Sequence, residues 1–90
     1  MKDITIYLRE PLKANGTVLT ELTMRMPFVK DKLAAQKLAK DDADSEVNLM
    51  AILTGLAPDD MPSMPLPDYV QLTEAYNSFF PPSPKSSDKP

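Results

Sequence analysis

The side chains with chemistry to offer in this sequence are acids. One cluster runs Lys40-Asp41-Asp42-Ala43-Asp44-Ser45-Glu46, and a second is the pair Asp59-Asp60 after Pro58. Carboxylates at alternating positions can hold a hard cation. A calcium loop of the EF-hand type, however, needs a glycine directly after its third ligand, and Val47 stands there. The same run fits a helix start, with Asp42 or Asp44 as N-cap and acids facing the positive end of the helix dipole. Asp59 and Asp60 could do acid–base work as a pair. Adjacent acids after a proline more often make a solvated turn, and a chain of 90 residues leaves little room for a deep pocket.

The rest of the composition narrows the chemistry further. There is no histidine and no cysteine, so Ser-His-Asp and Cys-His nucleophilic systems, the usual zinc ligands and the usual neutral-pH proton carrier are missing. The only glycines are Gly16 and Gly55, which excludes a Gly-rich phosphate loop. No enzyme, cofactor or metal site is expected. With 10 basic against 13 acidic residues the net charge is −3, the wrong balance for a chain that must neutralise phosphates, so no nucleic acid is expected. The longest nearly apolar run, Leu49 to Ala57, is interrupted by Thr54 and Gly55 and falls well short of the ~20 residues a membrane-spanning helix needs. The N-terminus has no apolar signal region. A cytoplasmic protein is expected, and what remains for it to offer is surface.

The elements that must carry that surface make an α+β fold: a small N-terminal β-hairpin followed by about three α-helices, in one domain over residues 1–80. Residues 3–10 alternate, with Ile4, Ile6 and Leu8 on one face and Thr5, Tyr7 and Arg9 on the other. Residues 17–25 repeat the pattern with Val18, Leu22 and Met24 on one face. Asn15-Gly16 marks the turn, inside a loop running from Pro11 to Gly16, so the hairpin spans 3–25. A first helix is expected over about 27–40, with Pro27 at its first position. Its stripe is poor: Phe28, Ala35 and Ala39 share a side while Val29 and Leu33 point elsewhere, so it either touches partners on two sides or has a small face. A second helix, about 44–54, is apolar nearly all round and belongs at the centre, with Gly55 as its C-terminal cap. Four prolines between 57 and 67 exclude a regular helix there. The third helix, about 67–80, carries the cleanest stripe: Tyr69, Leu72, Tyr76, Phe79 and Phe80. Residues 81–90, rich in Pro and Ser, have the composition of a disordered tail.

Two groups are candidates for binding a partner. Tyr76, Phe79 and Phe80 close the aromatic stripe, whose other use is to pack the core; Phe80, beside Pro81, is the member expected to be most exposed. Met61 and Met64 lie in the Pro-rich stretch, where methionine either adapts to varied apolar partners or caps the core under a loop.

The order of short motifs resembles a known family. A hairpin ends in Glu21-Leu22-Thr23-Met24-Arg25-Met26-Pro27, and Asp31 follows in the next helix. A further helix closes with Leu53-Thr54-Gly55-Leu56, then comes Pro58-Asp59-Asp60, and a last helix opens with Leu66-Pro67-Asp68-Tyr69. Over residues 3–80 this is similar to the E-type tail assembly chaperones of contractile-tailed phages, the group that includes Mu-like versions. The stretch 61–67 is heavier in proline than that pattern, and the segment after Phe80 is an addition to it. The resemblance implies a chaperone that binds the tape measure protein, keeps its apolar helical segments soluble and helps load tail tube protein around it. It also implies action in the host cell cytoplasm and absence from the mature virion. Many such genes yield a longer product by programmed frameshifting, which would be a further partner. The open hairpin edge makes a homo-oligomer possible.

Two other functions compete with this reading. One is a small structural tail protein retained in the virion. The other is a small regulatory or antitoxin-like protein that binds DNA or a toxin, against which the weak basic content argues.

Overall fold

The computed structural model describes residues 3–80. The chain runs β1 (Ile4–Ala14), β2 (Thr17–Met24), α1 (Val29–Lys37), α2 (Asp42–Thr54), a 3₁₀ helix (Pro58–Ser63) and α3 (Leu66–Ser78). The fold is α+β with an N-terminal hairpin, as the alternation and the helical stripes predict. The expected tail at 81–90 lies outside the described residues.

The hairpin differs from the sequence reading in its turn and its register. β1 does not stop at Glu10 but continues to Ala14, and the loop is the two residues Asn15-Gly16 alone. Both have positive φ, 53° and 79°, as the tight type I′ turn requires, and Asn and Gly reach that region at the least steric cost. The strands are antiparallel, pairing Ile4 with Met24, Ile6 with Leu22, Leu12 with Leu19 and Lys13 with Val18. Leu8 to Pro11 stand opposite Thr20 alone, a bulge of four residues against one, and Pro11 within it costs the ladder no donor. The surplus is an odd number of residues, so the faces of β2 exchange on passing it. Leu22 and Met24 point inward beyond the bulge, Leu19 points inward before it, and Val18 is 61% exposed. The expectation that Val18 shares a face with Leu22 and Met24 is therefore wrong.

The helices begin and end at caps, some shifted from expectation. α1 starts at Val29 rather than Pro27, because Phe28 holds the extended N-cap conformation. The N-cap of α2 is Asp41, neither Asp42 nor Asp44. The Asp41 carboxylate accepts the Asp44 N–H at 2.8 Å, and the Asp44 carboxylate accepts the Lys40 N–H at 3.0 Å. Gly55 ends α2 in the left-handed conformation, φ 75°. There the Leu56 N–H reaches the Ala51 carbonyl at 2.9 Å and satisfies the end of the helix. The prolines of 58–65 yield a 3₁₀ helix, which tolerates Pro62 where an α-helix would not.

α2 is the hub. It packs on α1, the 3₁₀ helix, β2 and α3. The core joins Ile6, Leu12, Leu22 and Met24 of the hairpin to Leu49, Met50 and Leu53 of α2, Met61 and Met64, and Leu72 of α3. Leu72 is wholly buried, which by itself stabilises the fold by about 1.5–3 kcal/mol. Among the described elements α1 packs only on α2.

Candidate partner-binding surface

Two buried carboxylates hold the hairpin on the helices. Asp31 and Asp68 each occupy the third position of a helix, α1 and α3 respectively. There the positive end of the dipole favours a negative charge. Asp31 receives a two-pronged pair from Arg25, at 2.7 and 2.8 Å, and the Phe28 N–H at 2.9 Å. Hydrogen bonding from Arg25 holds its carboxyl below the usual carboxylate range against the opposing effect of burial, and the Phe28 N–H adds to this. The same contact raises the Arg25 guanidinium. Asp68 is fully buried. Its two oxygens accept the backbone N–H groups of Arg9, at 2.9 Å, and Glu10, at 3.1 Å, the donors that the bulge frees from the ladder. Gln71 donates to Asp68 at 3.0 Å and bridges on to the Tyr7 carbonyl at 3.1 Å. Burial pushes the Asp68 carboxyl up, but the hydrogen bonds and the Arg9 charge outweigh it and leave the group lowered.

The surface so positioned contains an open groove of about 840 Å³. Met61 and Met64, 4% and 8% exposed, form its floor. Leu38, after α1, and Leu66, at the start of α3, are exposed lips, and Val47 and Tyr69 line the sides. Lys40, Asp44 and Asp59 supply polar groups at its margin. The Tyr69 hydroxyl donates to Glu46 at 2.8 Å. Burial, then the Glu46 carboxylate, pushes that phenol up, so it stays a neutral donor.

The five residues singled out from the sequence divide into two places. Met61 and Met64 lie together beneath the groove. Tyr76 and Phe79 are half-buried against the core from α3, and Tyr76 also lines a smaller hollow of about 350 Å³ between α1, α2 and α3. Phe80 is exposed, its ring edge-on to Tyr76 with centroids 5.0 Å apart. Sequence reasoning missed the groove lips Leu38 and Leu66, which lie outside any stripe. It also missed the anchoring roles of Asp31 and Asp68; the Arg25…Asp31 spacing was a visible signal for the first. Among the described residues no three acidic side chains gather as a metal site, and no helix is long and apolar enough to cross a membrane.

The family described as phage tail assembly chaperone proteins, E, or 41 or 14, matches residues 5–81. No curated protein and no solved structure matches the chain.

Proposed function

Because the chain belongs to the phage tail assembly chaperones grouped as E, or 41 or 14, we propose that it binds the tape measure protein during tail assembly, keeps it soluble and promotes assembly of the tail tube. The observation that supports this reading is the open, Met-floored groove on a member of that family. A helix of the tape measure protein lays apolar side chains between Leu38 and Leu66 onto Met61 and Met64, whose thioethers adapt to successive non-identical segments. Tyr76, Phe79 and Phe80 offer a second apolar contact at the far end of α3. Such work needs reversible coverage of apolar surface and no bond-making group, so the protein acts without catalysis. Its place is the host cytoplasm, and it leaves before the virion is complete. A longer frameshifted product of the same gene, and tail tube protein, are the other partners of this scheme.

The test is co-expression with the tape measure protein encoded in the same tail gene cluster. The two are expected to co-purify, with more of the tape measure protein in the soluble fraction than when it is made alone. No complex and no gain in solubility would overturn the reading. Mass spectrometry of purified virions checks departure, since this chain in stoichiometric amount would make it a structural component instead.

A further inference from the structure

The polar groups on the groove are matched unevenly. Asn48 lines it and is only 6% exposed. The Asn48 side-chain nitrogen donates to the Ala35 carbonyl at 3.2 Å, while Oδ1 accepts no hydrogen bond among the described residues. No side-chain polar atom of those residues is both sealed and unpaired. Oδ1 therefore reaches open space, and the groove is the hollow that Asn48 lines. Asp44 gives one oxygen to the Lys40 N–H at 3.0 Å and keeps the other. Asp59 is exposed and makes no ion pair among the described residues. Donors are scarcer. The Tyr69 hydroxyl is taken by Glu46, and Pro58 and Pro62 bring no N–H to the lining.

The charge around the opening is negative. The run 40–46 and the 3₁₀ helix that border it carry Asp41, Asp42, Asp44, Glu46, Asp59 and Asp60 against Lys40 alone. An apolar floor beside free acceptors suits a long side chain with a hydrocarbon stem and a cationic end. A guanidinium suits it best, because it only donates, presents a planar fork to carboxylates and is more weakly hydrated than an ammonium.

We propose that the groove selects basic amphipathic helices of the tape measure protein. The stem of an arginine lies across Met61 and Met64, and its guanidinium meets the free oxygens of Asn48 and of Asp44 or Asp59. This selection rests on the tape measure reading above and adds to it which segments are bound. The methionine floor accepts many apolar helices, and the acceptors at its margin choose among them. Acidic helices of the same shape are held off by like charge.

The experiment uses fluorescent peptides of about 20 residues, each about 30 Å long when helical, tiled along the tape measure protein. They are titrated with the full chain and read by anisotropy. The tightest binders are expected to carry apolar residues at helical spacing with an arginine on the same face. Replacing that arginine by glutamine should weaken binding about tenfold, and Asp59→Lys should do the same to the arginine peptide. Asp59→Lys should leave the glutamine peptide unchanged, a coupling that misfolding does not produce. High salt should weaken the arginine peptide alone. Leu66→Ser, at the exposed lip, should weaken both peptides alike. Arginine and glutamine peptides that bind equally, or acidic helices that bind as tightly, would overturn the selection and leave tape measure binding intact. Binding that Leu66→Ser does not alter would overturn it too. So would the absence of binding by every peptide, and co-expression then shows whether the wider reading falls with it.

Discussion

Asp68→Ala is the substitution that most directly probes how the hairpin is held. It removes the acceptor of three hydrogen bonds, from Arg9 N–H, Glu10 N–H and the Gln71 side-chain amide. Gln71 keeps the Tyr7 carbonyl, so its loss is small. The backbone donors have no alternative in the ladder, because they lie in the bulge. A donor stranded without a partner costs about 1–3 kcal/mol, and the lower end applies at a part-buried site that water can reach. A favourable acid in the first turn of α3 is also lost, about 0.3–1 kcal/mol. The sum is about 2–3 kcal/mol, a large share of the stability expected at roughly 0.05–0.15 kcal/mol per residue. Urea unfolding followed by far-UV circular dichroism should show the midpoint fall by about 2–3 M, at a slope near 1 kcal/mol/M and unchanged from wild type. Asp68→Asn keeps one acceptor but turns an amide toward the other donor, and should lose about half as much. Hydrogen exchange at Arg9 and Glu10 should quicken in both variants. A loss below about 1 kcal/mol for the alanine variant, with exchange at those amides unchanged, would refute the anchoring role.

Acid should loosen the same anchors. Asp31 and Asp68 have folded pKa values below their unfolded ones. Their contribution is therefore complete above about pH 5 and is lost as pH falls through about 4 toward the folded values. The urea midpoint should be flat near neutrality and drop on that limb, more shallowly in Asp31→Asn, which a pH series of unfolding curves will show. The exchange of faces in β2 gives a separate check by thermal unfolding. Val18→Thr should change stability by no more than about 0.5 kcal/mol, whereas Leu22→Ala should cost about 2–5 kcal/mol.

Much of the fold is legible in the residues because local signals carry it. Alternation marks the strands, Asn15-Gly16 the turn, Gly55 the end of α2, and the aromatic stripe places Leu72 inward. What is not legible depends on partners without a letter of their own. Asp68 acts on backbone N–H groups some sixty residues away in sequence, and no side chain announces them. The bulge hides for a related reason, since Arg9-Glu10-Pro11 reads as a strand ending, and with it went the facing of Val18. Pro27 suggested a helix start, yet the extended backbone of Phe28 postpones it by two residues. The candidate surface was half visible. Met61 and Met64 stood out by type, but only packing shows them as the floor of a groove whose lips, Leu38 and Leu66, come from separate helix ends.

The central claim is that the groove receives the tape measure protein, and in-cell photocrosslinking tests it most directly. A photoreactive phenylalanine analogue replaces Leu66 at the groove lip or, separately, Val18 on the outer face of the hairpin. Irradiation during co-expression should join the Leu66-substituted chain to the tape measure protein and leave the Val18-substituted chain largely free. Crosslinks from position 18 with none from position 66 would contradict the account.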